Sequence, residues 1–432
     1  MSDEQQRVQN RRWTTRVAAL SAAIMTLDIT VVNIALPRIG EALGANLAQL
    51  QWLINGYTLS FAGLLLLAGA LSDRLGRRRI FMLGNGIFVL ASLVCALSPS
   101  IEVLIAARVV QGAGGALVLG TALALIAGAC EGEPPQVRAR AVGLFAAGGA
   151  ISAASGPLIG GMLIQWASWP WLFAINVPVG VLIIAATLRR VSEKPLPPPS
   201  YPLDAAGAVL VTLALFSLNY AALNFSAWGA QRPEVVWSFT FGAAALLLFL
   251  GLEYRRGERA LLHLGLFRIP TFAGAVLLSF AGRIFSFGLL PFITLWLSGM
   301  LHYSAWHTGL ILLCQSLAMV VAAQRAGAAS GTANTFFPLG TAVGIAFFGL
   351  LLNEVLQRAL PPEALAAAGI SDPQAVLKAA GSAQFEALNA FPALLAQARQ
   401  GWADGLNLMF RTAAAASLLA GVAALWLIRP PR

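Results

Sequence analysis

Apolar residues run through this chain in blocks of about 20 positions or more, broken by short polar segments, rather than alternating as strands do. Each block approaches or exceeds the ~20 residues that an α-helix needs to cross a bilayer. The pattern predicts spans over 17–37, 48–71, 80–98, 101–128, 138–166, 169–188, 205–224, 235–252, 271–299, 306–323, 328–352 and 406–428. Twelve is an even number, which puts both termini on one side. Two stretches interrupt the rhythm. The segment Lys194–Pro202 is too rich in proline to be helical and separates six spans from six. Residues 353–405 are long and polar, with Pro361, Pro362, Pro373 and Pro392, and predict short amphipathic pieces in an outer loop. The sequence therefore divides into an amino-terminal six-helix bundle (1–190), a cytoplasmic linker (191–204), a helix pair (205–270) and carboxy-terminal helices (271–432). Six spans, a linker and six more is the layout of carriers built from two pseudo-symmetric halves.

Composition excludes a soluble domain. Hydrophobic residues make up 58% of the chain and charged residues only 11%, against about 25% charged in globular proteins. The fold class is an all-α polytopic membrane protein. The net charge of +10 would suit a nucleic-acid partner, but its placement argues for topology instead. Twenty of the 28 Lys and Arg residues fall on one side of the predicted spans, and the basic side of a membrane protein is cytoplasmic. Both termini are thus expected in the cytoplasm, with the chain in a bacterial-type inner membrane and lipid as its surroundings. Cys95, Cys130 and Cys314 are scattered, as are His263, His302 and His307, so neither a metal site nor a disulfide framework is expected. The block 17–37 is too long for a signal-peptide core and carries Asp28, so it reads as a retained first span.

Three groups of residues carry candidate chemistry. The loop after span 2 contains Gly69, Asp73, Arg74, Gly76, Arg77, Arg78 and Arg79. Gly76 permits a tight reversal, and Asp73 can approach helix N-termini or basic side chains. Arginines that merely set topology explain the charges but not Gly69, Asp73 and Gly76. The second group is a pair of charges inside spans. Asp28 lies about 16 Å along span 1, and Arg108 about 10 Å from the other end of span 4, at ~1.5 Å per residue. These spans run in opposite directions, so the two charges lie at similar depths. A lone charge there costs at least ~3 kcal/mol and must face a cavity or a partner. Asp28 is a candidate proton carrier biased by Arg108; the alternative is a fixed salt bridge that only holds helices together. The third group is Gly148, Ser152, Gly156 and Gly160, on one face of span 5 with Pro157 and Gly161 beside them. Small residues at this spacing let helices approach closely, and Pro157 predicts a kink.

Together these residues resemble the major facilitator superfamily. The Gly69–Arg79 loop is similar to its cytoplasmic signature loop. Leu27–Pro37 resembles the first-span signature of the fourteen-span drug:proton antiporter group (EmrB/QacA-like), and Arg108, Gln111, Gly112, Gly114 and Gly115 resemble that group's span-4 motif. The resemblance assigns proton coupling to this arginine. Gly156, Pro157, Gly160 and Gly161 resemble the motif associated with exchangers. Trp169–Gly180, Asp204, Gly207 and the stretch 253–272 also fit the group. The resemblance implies a proton-coupled antiporter exporting amphipathic or lipophilic small molecules by alternating access. Such a carrier is driven by the proton gradient without a cofactor, and it is not an enzyme.

The sequence departs from the group in three places. Pro170 replaces an arginine between Trp169 and Trp171, and Phe337–Pro338 stands where the group has Arg-Gln, after Ser330, Gly331 and Asn334. In addition, span 10 runs almost directly into Arg325–Gly331, which resembles the opening of the group's penultimate span. Two helices are therefore expected to be absent, leaving the carboxy half incomplete. Arg283 and Arg411, within spans 9 and 12, are either ligands for substrate or charges left without partners by that loss. The rival reading is accordingly a non-transporting or inactive remnant of such a carrier. No phosphate-binding loop supports a primary pump, and an adaptor for export is neither implied nor excluded.

Overall fold

The computed structural model describes residues 3–193, 204–228, 232–257, 260, 262, 264–314 and 337–427, and every regular element among them is helical. Among the described residues ten helices are long and apolar enough to cross a membrane, and a bent pair makes an eleventh. The amino-terminal spans are α1 (Asp3–Leu43), α2 (Leu47–Leu75), α3 (Arg77–Ala96), α4 (Ile101–Ala129), α5 (Pro135–Trp166) and α6 (Trp171–Arg190). They are followed by α7 (Ala205–Trp228), α8 (Pro233–Arg256), α9 (Pro270–Met300), α10 (Ala305–Cys314), α11 (Phe337–Ala359) and α12 (Pro392–Leu427).

Several boundaries differ from the sequence expectation for physical reasons. The first helix begins well before residue 17, carrying Arg7, Arg11, Arg12 and Arg16 on a solvated extension of the apolar span. Pro157 lies inside the continuous helix α5, and the sharp bend falls in α2 instead, 52° between Leu47–Leu65 and Leu67–Leu75. The polar stretch 353–405 is not all loop. Helix α11 continues to Ala359 and α12 starts at Pro392, leaving two short helices, Pro362–Ala367 and Pro373–Gly381, between them. Trp402 of α12 donates its indole N–H to the Ala380 carbonyl and anchors this segment. The segment covers the end of the bundle where α1 turns into α2, since Gly381 packs on Leu47 and Gln384 lies beside Gly40. Helix α10 is the start of the expected span 306–323; the rest of that span, the proline-rich linker, and Ser330, Gly331 and Asn334 lie outside the described residues.

The helices sort into two groups joined by the α7–α8 pair. Within the amino-terminal group α1 packs on α5, α2 on α4, and α3 on both α4 and α6. In the carboxy-terminal group α9, α11 and α12 pack on one another. Among the described residues that group has no second six-helix bundle, in keeping with an incomplete carboxy half. Helix α7 packs on α8 and also reaches α2 and α11. There Asn55 donates to Asn219 (3.2 Å), Asn219 donates to the Ala342 carbonyl (3.4 Å), and Gln51 donates to the Ile345 carbonyl (3.2 Å). Trp52 stacks on Phe216 at 6.2 Å beside this seam. Helix α7 is thus bonded into the junction between the two groups.

Because lipid is as apolar as a leucine side chain, these helices are held by close packing rather than by a hydrophobic drive between them. Gly112 shows how close the approach is. A Cβ added there would lie 2.2 Å from the Ser60 hydroxyl oxygen and 2.3 Å from the Tyr57 carbonyl oxygen. Gly112→Ala is therefore expected to lower stability by about 1–3 kcal/mol, as overpacking does. Gly86→Ala, where a Cβ meets nothing within 4 Å, is expected to leave it unchanged or slightly raised. Thermal unfolding of the two purified variants checks the contrast.

Candidate functional site: a buried ion pair among four helices

The helical positions of Asp28 on α1 and Arg108 on α4 bring their side chains into direct contact. They form a salt bridge whose members are 0% and 1% exposed. The same guanidinium Nη1 donates to the Gln111 side-chain oxygen at 2.6 Å, and Nε donates to the Leu53 carbonyl at 3.3 Å. Arg108 also lies over the Tyr57 ring, 4.2 Å from its centroid, and 5.8 Å from that of Phe173. The cation is thus met by a carboxylate, two oxygens and an aromatic face, which together replace its lost water.

Asp28 is equally well held. Its Oδ2 takes the Arg108 bond, while Oδ1 accepts from Gln111 Nε2 at 3.0 Å and from Asn176 Nδ2 at 2.8 Å. Both amides also reach the Ser92 hydroxyl, at 2.8 and 3.3 Å. Helices α1, α3, α4 and α6 therefore meet in one polar network inside an otherwise apolar bundle. Two atoms stand outside it: Asn176 Oδ1 and the Tyr57 hydroxyl are buried without a hydrogen-bond partner. Asp28, Arg108 and Gln111, singled out in the sequence, are brought together here, and Asn176 enters the sequence reading only as part of the Trp169–Gly180 motif. Ser92 and Tyr57 belong to none of the motifs read from the sequence. A polar residue inside an apolar span was the available signal, but many such residues only bond their own helix, as Asn85 and Thr121 do here.

The residues of the span-5 motif lie at helix contacts rather than in the network. Gly148 faces the Ala19 carbonyl, Gly156 faces Thr30 and Gly160 faces Val31, so one stripe of α5 seats α1. On the other side Gly161 meets the Ala305 carbonyl, and Gly309 meets the Pro157 carbonyl. Helix α5 is thereby pressed between α1 and α10, across the junction of the two groups.

The signature loop sits at the end of the bundle that carries the arginines. Gly76 has φ +99°, a conformation that side chains oppose, and Gly69 faces Gly120 of α4. Asp73 pairs with Arg77 at 3.1 Å, and Arg77 also donates to the Ala124 carbonyl. Arg78 donates to the Leu188 carbonyl at 2.8 Å. Arg74 follows Asp73 in the last turn of α2. The start of α3 is capped from a distance: the Glu193 carboxylate accepts the backbone N–H groups of Arg77 at 2.7 Å and Arg78 at 2.9 Å. A carboxylate suits a helix N-terminus, where unpaired N–H groups gather. Nearby, Arg11 pairs with Glu133, and Asn10 exchanges hydrogen bonds with the Ser192 backbone. Of the two arginines within the later spans, Arg283 lies over the Phe287 ring at 4.9 Å, and Arg411 is exposed on α12. Among the described residues no group of histidines, cysteines and carboxylates could hold a metal ion.

The sequence matches the model of the Major Facilitator Superfamily over residues 18–352. It is 35% identical over 305 residues to the methylenomycin A resistance protein of Bacillus subtilis (strain 168), covering 71% of this chain and 64% of that one. It is 36% identical over 310 residues to MdtD of Salmonella heidelberg (strain SL476), a protein named for multidrug resistance, covering 70% of this chain and 63% of that one. The chain thus spans less than two thirds of the length of these relatives. Its fold is similar to that of a bacterial homologue of the human lysosomal transporter Spinster in an inward-facing, occupied conformation, with a TM-score of 0.53, 18% identity and 98% of the chain covered. It is also similar to the peptide-transporter-family protein PepTSo, with a TM-score of 0.51, 13% identity and 96% covered. By this match, the chain belongs to the Major Facilitator Superfamily.

Proposed function

We propose that this chain is a proton-coupled antiporter that exports amphipathic or lipophilic small molecules by alternating access. The observation that carries the reading is the enclosed network around Asp28. A buried ion pair contributes little net stability compared with apolar residues of similar size, so an ionisable group kept at this depth points to a task beyond packing. Asp28 touches Arg108, Gln111 and Asn176, and its side chain is wholly occluded. Proton exchange at this carboxylate therefore needs the helices around it to part, which ties protonation to the conformational cycle. In this cycle Asp28 binds and releases the proton, Arg108 biases that equilibrium, and Gln111 and Asn176 hold the carboxylate in place. The contacts of α5 with α10 form part of the surface on which one group of helices moves against the other, while its glycine stripe keeps α1 seated within the amino-terminal group. The resistance named for the relatives agrees with export of a drug-like compound. The basic end of the bundle faces the cytoplasm in this reading, with both termini there and the chain in the inner membrane. The energy comes from the proton gradient, with no cofactor.

A second reading has its own support: a non-transporting remnant. The carboxy-terminal group is short of a six-helix bundle among the described residues, and less than two thirds of each relative's length is matched. Dye efflux in energised inverted vesicles separates the two. Gradient-dependent movement by the wild type, reduced at least about tenfold by Asp28→Asn, is expected for the antiporter. No movement of several cationic and neutral dyes by a correctly inserted wild type supports the remnant instead.

The ion pair also sets a stability expectation. Removing one partner leaves a buried charge alone, so Arg108→Ala is expected to cost about 3–5 kcal/mol. Combining Arg108→Gln with Asp28→Asn removes both charges and is expected to recover more than half of that loss. Thermal unfolding of the single and double variants measures the difference.

A further inference from the structure

The base of the α7–α8 hairpin holds a pair of buried carboxyl groups, remote from Asp28 and unused in the reading above. Asp204 precedes α7 and is 5% exposed; Glu253 lies in the last turn of α8 and is 1% exposed. One oxygen of each is fully engaged. Asp204 Oδ1 accepts the Gly207 N–H at 2.7 Å and pairs with Arg256. Glu253 Oε2 accepts the Leu262 N–H at 2.5 Å. The other oxygens, Asp204 Oδ2 and Glu253 Oε1, are buried and receive no hydrogen bond from any N–H group. They face each other across Gly207, where an added Cβ would lie 2.7 Å from both.

Two carboxylates cannot face each other this way while both are ionised. Each is acceptor-only when charged, and like charges at such spacing repel. A single proton turns the clash into a hydrogen bond, as in other carboxyl dyads. We propose that Asp204 and Glu253 hold one proton between them, making the base of the hairpin a second proton-binding site.

The charges around the site support a proton rather than a metal ion. The charged groups facing it among the described residues are Asp204 before α7 and Glu253 and Arg256 on α8, with only backbone from the connection at Leu262. One guanidinium and one carboxylate already balance, so the proton makes the cluster neutral, and a metal cation would meet the arginine. Burial pushes the Asp204 carboxyl up, but hydrogen bonds from Arg256, Glu253 and Gly207 bring it below its ordinary value. Asp204 is thus the charged member, and the proton resides on Glu253. Gly207 is glycine because any side chain would enter the gap between the two oxygens.

The site joins the start of α7, the end of α8 and the connection leading to α9. Helix α7 also carries Asn219, which is bonded to α2 and α11. Loss of the proton leaves two negative charges against one arginine and loosens the hairpin at its base. Stability contributed by a shared proton is fully present below the ordinary carboxylate range and is lost as pH rises from there to the point where the proton leaves the folded site.

The test is infrared titration of the purified full-length protein between about pH 6 and 8.5, above the ordinary carboxylate range. A protonated-carboxyl band that fades with rising pH is expected in the wild type. It should persist in Asp28→Asn and be missing in Glu253→Gln, whose amide replaces the donor. That separation keeps this site independent of the transport reading. The melting temperature of the wild type is expected to fall by about 2 °C per pH unit until the band has faded and to level off above that pH, and to stay flat throughout in Glu253→Gln. A band unaltered by Glu253→Gln, or a melting temperature that rises with sodium at constant pH, overturns the proposal. Should Glu253→Gln fail to fold, Asp204→Asn is expected to move the loss of the band to lower pH, and an unmoved band overturns it.

Discussion

The architecture of the amino-terminal group is governed by the need to surround one ion pair in an apolar medium. Asp28 and Arg108 are tolerable there only because both carboxylate oxygens and most of the guanidinium edge find partners, and those partners come from α2 and α6 as well as α4, with Ser92 of α3 bonding two of them. Such partners must arrive at distances near 3 Å, which leaves no slack between helices. The glycines follow from that requirement. Gly112 lets α4 settle against Tyr57 and Ser60, and Tyr57 in turn lies flat against the guanidinium. Packing and electrostatics are therefore one constraint in this half of the molecule, and a change in either is felt by the other.

The remaining helices are organised differently. Where the amino-terminal group closes around charge, the carboxy-terminal group meets it through backbone contacts. Gly161 and Gly309 bring α5 and α10 together, and Gly288 and Gly344 bring α9 and α11 within backbone contact of each other. Between the groups, α7 contributes amide hydrogen bonds to α2 and α11. A helix pair lying outside both bundles thus becomes a structural member of their junction. Amides suit that position, because they can exchange partners with modest cost when the surfaces shift, whereas a buried ion pair cannot.

Much of the membrane topology was legible in the sequence because the bilayer imposes a length on each apolar block. The pairing of Asp28 with Arg108 followed from counting residues along two opposed helices, and Gln111 came with its motif. Asn176 was harder to assign. Its role depends on the rotation of α6 about its axis, which hydropathy does not specify when a span is apolar all round. Glu193 lay beyond the end of a helix, and its partners at Arg77 and Arg78 are more than a hundred residues away in the chain. The limits of the polar stretch after α11 are set by something that local composition does not carry. Helix α12 extends beyond the apolar block because Trp402 and its neighbours pack on the short helices, a tertiary contact that overrides local polarity.

The meeting of Asn10 with Ser192, and of Glu193 with the start of α3, means that the first 193 residues begin and end at the same place. A ribosome threading this chain into a membrane has made every helix that holds the ion pair before α7 emerges. The amides on α2 that later meet α7 and α11 must wait, exposed on the flank of those helices. Chain order and geometry run together in this way: the helices that enclose the charge come first, and the junction between the two groups is added to them.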